Sequence, residues 1–433
     1  MISLLVAIAL AAPPRVSPVQ QLIDRAPAGA TVIVPPGTWE GDLLIEKPVR
    51  LVGRGRPLLL GSGRGTVVSI VADGTTLEGF AIDGRGGGDL GEDASGIHIE
   101  AHRVAVRDCA IRRTLFGVYL REANDAVVDG CVIRGIRGKA PGEKGSGIHV
   151  WNTDGFRITR NDIRDVRDGI YIQSSYHGFI SRNHASDLRY GLHFMFSDDH
   201  EFTENTFENG DAGTAIMYAR RINFRRNRFV RNRGFASVGL LFKECDDGIS
   251  EDNLIADNAR GIFLEGSYRN VFRRNVVAES DAAIVLFDSS SGNRFEGNIF
   301  SANLAPLTLV GRRTDTVFEG NYWTGNREPD LDGDGRSDRP YVLSSLFDHL
   351  RENVTAADLF AGSVAARAIA AAEATFPVID PSSVVDRAPL VRPPALPAVP
   401  RRDRRPRAES IAGIATSAAL MAAGLLVIAR RRP

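Results

Sequence analysis

Asn161-Asp162-Ile163, Asn183-His184-Ala185, Asn205-Thr206-Phe207 and Asn227-Arg228-Phe229 recur at intervals of 22 residues. The series runs on through Asn253, Asn275, Asn298 and Asn321 at intervals of 26, 22, 23 and 23. Two residues after each asparagine stands an apolar side chain, from Ile163 to Trp323, and such alternation is the period of a strand. Cys109 and Cys131 extend the register backward, because Ile111 and Ile133 then fall at the apolar position. A second series starts at small residues, Gly96, Gly117, Gly147, Gly169, Gly191, Gly213, Gly239, Gly261, Ala283 and Pro306, each followed by a short apolar stretch. Two short strands per repeat, a period near 22 and no apolar stripe of helical length predict an all-β chain wound into a right-handed parallel β-helix.

Each coil alone cannot bury its apolar side chains, so neighbours about 4.8 Å away must complete the core. Asparagines stacked in one column can bond to one another and to turn backbone. The repeated asparagine is therefore read as architecture, and function is sought elsewhere.

The expected organisation is a signal peptide at 1–12, a β-helix over 17–345, a helical segment at 346–380, a Pro/Arg-rich linker at 381–407 and a transmembrane anchor at 411–429. Ser17 and Pro18 have the types expected at a helix start, and a short helix holding Val19, Leu22 and Ile23 would cover the first coil. Residues 2–12 form an apolar run ending in small residues, and 411–429 is a 19-residue stretch without charge between arginine clusters, close to the length that spans a bilayer. A removable sorting tail is the rival reading of that stretch. An exported body with a cytoplasmic arginine end would be periplasmic and held at the inner membrane. Basic and acidic residues balance at 53 each, so no overall field points to nucleic acid. Three cysteines, Cys109, Cys131 and Cys245, make no disulfide framework.

Counting from the small residues places positions one and three inward, and two and four outward. The second position then reads His98, Tyr119, His149, Tyr171, His193, and the fourth reads Glu100, Arg121, Trp151, Gln173, Met195, Met217, Lys243, Glu265. His193, Met195 and Met217 share one face, and imidazole with thioether suits Cu(I). His149 lies on the same track two coils away. Past the repeat, Asp330, Asp332, Asp334 and Asp338 with Gly335 at the sixth place have the spacing of a calcium loop. The acid wanted at the twelfth place is replaced by Tyr341, and an Asp/Gly-rich turn is the competing reading. A carbohydrate-binding or carbohydrate-active solenoid (lyase, hydrolase or epimerase) is the other function class, although Glu100 and Glu265, the acids of the outward columns, stand far apart, whereas glycosidic cleavage wants paired carboxylates.

The phrases Arg189-Tyr190-Gly191-Leu192-His193-Phe194-Met195-Phe196-Ser197 and Ala215-Ile216-Met217-Tyr218 are similar to signatures of the NosD-type periplasmic proteins of nitrous oxide reductase maturation. Arg167-Asp168-Gly169-Ile170-Tyr171, Gly320-Asn321-Tyr322-Trp323 and the Asp-rich loop resemble further, less specific segments of that family, and the likeness covers about residues 17–390. The resemblance implies a non-enzymatic, exported β-helix. It would work with an ABC-type membrane complex, a copper chaperone and the apo-enzyme of nitrous oxide reductase to mature a copper-sulfur centre. Carried onto this chain, it supports His193, Met195 and Met217 as copper handlers. A C-terminal anchor departs from the soluble partner that the family suggests.

Overall fold

The computed structural model describes residues 17–234, 237–311, 314–343, Ala368 and 384–394. These lie in one compact unit. The expected signal peptide, the anchor at 411–429 and nearly all of the helical segment at 346–380 fall outside them. Among the described residues no helix is long and apolar enough to cross a membrane.

The chain is a parallel β-helix. Among the described residues its strands stack into three sheets of 15, 13 and 12 strands, and each coil strand pairs with the equivalent strand of the next coil. Each coil holds three strands, not the two expected. The extra one precedes the asparagine, as in Arg157–Thr159, and carries a single inward apolar residue, too weak a pattern to be read alone.

The corner between this strand and the next explains the asparagine. The preceding residue is left-handed at every coil: Arg160, Arg182, Glu204, Arg226, Asp252, Arg274, Gly297 and Gly320 have φ between 52° and 65°. That turn aims its own side chain outward and the asparagine inward, where all eight asparagines are buried. The Asn183 Oδ1 accepts both the backbone N–H and the Nδ2–H of Asn161, at 3.0 and 2.9 Å. The Asn183 Nδ2 in turn donates to the Ile158 carbonyl and to Asn205 Oδ1. The pattern repeats to Asn298 and Asn321. Buried amides are thus paired with each other, which removes the penalty that an isolated polar group would carry.

Apolar columns fill the space between the ladders. Phe202 stacks on Phe224 at 4.7 Å, Phe272 on Phe295 at 4.6 Å and Phe300 on Trp323 at 4.1 Å. The coils also begin earlier than the asparagine beat. The second sheet starts at Thr38–Glu40, where Gly37, Pro57 and Phe80 stand in the column that Cys109, Cys131 and Asn161 later occupy. All three cysteines are buried and free, as small core thiols.

Both ends are covered. The helix Pro18–Arg25 buries Val19 and Ile23 over the first coil, and its proline stands in the first turn. Leu22, on the same helix, is 40% exposed, because the inward stripe of so short a helix is the i, i+4 pair Val19 and Ile23. The Ser17 side chain makes no capping bond. At the other end the linker expected at 381–407 is not wholly a tether. Val385–Asp386 forms a strand that pairs in parallel with Phe318 and antiparallel with Tyr341–Val342. Asp386, fully buried, accepts the N–H groups of Gly320 and Asn321, the Asn321 amide and the Trp323 indole at 2.9–3.0 Å. The last asparagine of a ladder has no following asparagine, and a carboxylate from a distant segment supplies the missing acceptor.

Candidate functional site

The third sheet carries the outward columns. Its strands include Ile148–Trp151, Asp168–Gln173, Tyr190–Met195, Ala212–Arg220 and Leu240–Asp246. Inward positions such as Ile170, Leu192, Phe194 and Ile216 are fully buried, so the alternating residues face away from the core, as the count predicted.

Register brings Met195 opposite Met217 across adjacent coils, and His193 opposite Ala215. Adjacent strands lie about 4.8 Å apart and residues two apart on one strand about 7 Å, so the three side chains share one patch. His149 does not join them. Tyr171 stands between it and His193, with ring centroids at 4.6 and 4.8 Å on either side. The second column is an unbroken stack of rings, since His98, Tyr119 and His149 follow at 5.0 and 4.4 Å. Burial, helped by the positive charge of Arg167, pushes the His149 imidazole down to about 3. It is a neutral member of an aromatic column, and its Nδ1 finds no hydrogen-bond partner among the described residues.

Beneath His193 lies a group that spacing did not single out. Asp168 is fully buried and receives Arg189 Nε at 2.9 Å and Nη2 at 2.6 Å. The His193 Nδ1 faces Asp168 Oδ2 at 3.3 Å. Burial alone would raise the Asp168 carboxyl, but the bonds from His193 and Arg189 outweigh it and hold the group below its ordinary range. An ionised acceptor at Nδ1 selects the tautomer with hydrogen on Nδ1 and leaves the Nε2 lone pair for a ligand, the arrangement that carboxylates impose on metal-binding histidines. Arg189 also lies over the Tyr190 ring at 4.4 Å, and Tyr190 meets His193 edge-on at 5.1 Å. The clue in the sequence was an aspartate just before the small residue, where other coils carry Ser95, Phe116, Tyr190 or Ala212. The donor set, one oriented imidazole and two thioethers, fits Cu(I).

His200, not singled out from the sequence, is buried under the next corner between Phe156 and Phe194. Its Nδ1 accepts the Gly178 N–H at 2.9 Å, and burial pushes it down to about 4. It is part of the core.

In the Asp-rich loop the carboxylates of Asp330, Asp332 and Asp338 come within 4.8 Å of one another, while Asp334 stays outside the group. Asp330 also accepts the N–H groups of Gly333 and Gly335, and Asp334 accepts that of Arg336, so the same carboxylates close the turn.

Along the corner after the methionines runs a cleft of about 690 Å³, bordered by Phe196, Tyr218, Glu244 and Tyr268. Asp198 and Asp246, also on its wall, accept the N–H groups of Arg220 and Tyr268.

Residues 135–329 match the family described as periplasmic copper-binding protein (NosD), a span that holds His149, His193, Met195 and Met217. The probable ABC transporter binding protein NosD of Stutzerimonas stutzeri is 30% identical over 138 residues, 31% of each chain. Its namesake in Pseudomonas aeruginosa is 28% identical over 157 residues, 36% of each. The matched stretches thus span about a third of these curated relatives. Among solved structures, the A-module of the Azotobacter vinelandii mannuronan C-5 epimerase AlgE6 superposes with a TM-score of 0.56 at 14% identity, over 69% of this chain and 92% of its own. A family 28 exopolygalacturonase of Yersinia enterocolitica gives 0.56 at 12%, over 69% and 74%. At such identities these two establish the shared β-helix and nothing about chemistry. Residues 135–329, the part of this chain that carries the site, are thus similar to the NosD family.

Proposed function

We propose that the chain is a non-enzymatic accessory protein that holds Cu(I) transiently as cargo on His193, Met195 and Met217. It would present this copper during maturation of the copper-sulfur centre of nitrous oxide reductase. The observation that carries this reading is the register pairing of Met195 with Met217 beside a histidine whose Nδ1 faces a buried aspartate. Thioethers and a neutral imidazole bind Cu(I) without needing to lose a proton. The match of residues 135–329 to the NosD family agrees with an accessory role, and the names of the curated relatives agree with work beside an ABC-type transporter. A copper chaperone as donor, the apo-enzyme as acceptor, a periplasmic location and an anchor at 411–429 belong to the same proposal.

The test is a Cu(I) titration against a colorimetric chelator, on the full chain and on Met195→Leu/Met217→Leu. Wild type should hold Cu(I) and the double variant should lose at least tenfold in affinity with its melting curve unchanged. Equal affinity rejects the site. A calcium ion on Asp330, Asp332 and Asp338 is a separate, smaller proposal, which a calorimetric titration showing no heat of binding would end.

A further inference from the structure

The corner after the third sheet is lined by Asn152, Ser174, Phe196, Tyr218, Glu244 and Gly266, all left-handed, with φ between 49° and 57°. Glycine and short polar side chains tolerate that backbone, whereas a bulky aromatic residue there is an outlier. Phe196 and Tyr218 adopt it without the compensation of burial, being 51% and 37% exposed. Their rings stack at 4.8 Å and 9°. Backbone strain that is kept in order to hold two rings in the open points to a use for those rings.

The next two coils define that use. The register of the strands sets Glu244 opposite Tyr218 in one coil, and Gly266 opposite Glu244 in the one after. Glu244 is exposed, and among the described residues it has no ion pair. Gly266 leaves its place in the column without a side chain. Among the described residues the cleft beside them carries Asp198, Glu244, Asp246 and Glu265 against one lining cation, Arg220. Asp198, Asp246 and Glu265 already reach Arg221, Arg269 and Lys243, at 3.7, 3.5 and 3.0 Å. Glu244 therefore remains as the carboxylate to be met, next to an exposed ring pair.

We propose that this cleft binds an arginine side chain presented by an extended segment of a protein partner. A guanidinium is flat enough to extend the Phe196–Tyr218 stack as a cation over a π-face. It also offers paired N–H donors to the Glu244 carboxylate. Lysine could make the ion pair but not the planar stack. An anionic saccharide would use the rings but meet the excess of carboxylates, which disfavours it. The interaction is independent of metal. Because Phe196 and Tyr218 directly follow Met195 and Met217 in the chain, a partner held here would sit beside the methionine pair.

The experiment is a saturation-transfer NMR titration of the full chain with an acetylated, amidated Gly-Ser-Arg-Ser-Gly peptide. Parallel runs use the same peptide with lysine or citrulline replacing arginine, and a uronate tetrasaccharide. The arginine peptide should bind with contact at its side-chain protons, and the lysine and citrulline peptides should bind at least fivefold more weakly. Glu244→Gln and Tyr218→Ala should each weaken the arginine peptide at least fivefold, and Tyr218→Phe should retain binding, with all three melting as wild type does. Absence of arginine-peptide binding, equal binding of the citrulline peptide, no effect of Glu244→Gln, or binding of the saccharide alone would each overturn the proposal.

Discussion

The asparagine ladder and the outward face of the third sheet are built by the same coils, yet they follow opposite rules. In the ladder every coil contributes the same side chain, and each asparagine is the partner of the next. On the outward face the fourth position changes at nearly every coil, from Gln173 to Met195, Met217, Lys243 and Glu265. A residue that repeats can be satisfied by its own copies, so repetition marks the scaffold. A residue that does not repeat must be satisfied by neighbours of another kind or by a ligand, so a break in the column marks a site.

Changing one rung of the ladder should give the largest effect. Asn205→Leu removes the acceptor of the Asn183 N–H and Nδ2–H, and the donor to the Ile180 carbonyl. Three orphaned buried groups at roughly 1–3 kcal/mol each, partly relieved by relaxation, predict a loss on the order of 4 kcal/mol by chemical denaturation. Cu(I) affinity of the folded fraction should not move. A variant that melts normally but loses copper would invert the comparison. Asp386→Ala cuts the ladder at its end, where four donors lose one carboxylate. A loss of about 3 kcal/mol should appear first in the fluorescence of Trp323, because fraying at a solenoid end is local.

The ring column sharpens the contrast through pH. The folded pKa of His149 is depressed, from 6.5 to about 3. Below 6.5 the unfolded chain takes up a proton that the folded chain refuses, so stability falls as pH falls through that window. Between pH 7 and pH 5 this one group should cost about 2 kcal/mol. His149→Phe keeps a ring between Tyr119 and Tyr171 and should lessen that acid sensitivity. Asp168 acts in a lower window, since its depressed carboxyl contributes stability above its unfolded pKa that disappears as pH falls below it. An unchanged slope between pH 7 and pH 5 in His149→Phe would show that the imidazole is not buried neutral. The smallest stability effect belongs to the outward methionines. Met195→Leu/Met217→Leu should shift stability by less than about 1.5 kcal/mol while Cu(I) affinity drops at least tenfold.

Much of the fold was legible because its signal repeats. The asparagine interval and the alternation after it marked the coils from Cys109 to Trp323, and the inward places of Cys109 and Cys131 followed from the same count. The earlier coils, included in the expected span 17–345, lie outside the asparagine beat because Gly37, Pro57 and Phe80 fill the asparagine column there, and coil lengths vary, with register steps of 19 from Thr31 to Arg50 and 26 from Arg50 to Thr76. The third strand of each coil was hidden by its shortness. At the site, counting placed Met195 beside Met217 and set His193 on their face. It placed His149 on the same track without showing that Tyr171 separates the two imidazoles.

By itself, then, the sequence determined everything that depends on a fixed interval: the parallel stacking, the inward ladder and the outward column of rings and thioethers. A parallel β-helix pairs each residue with one a coil away, so counting is equivalent to contact. Tertiary structure alone decided what joins residues across unequal distances. Asp386 closes the ladder from 65 residues beyond Asn321, and Asp168 turns His193 from the coil before. Those contacts depend on where side chains point once the coils are wound, and no period in the chain records it.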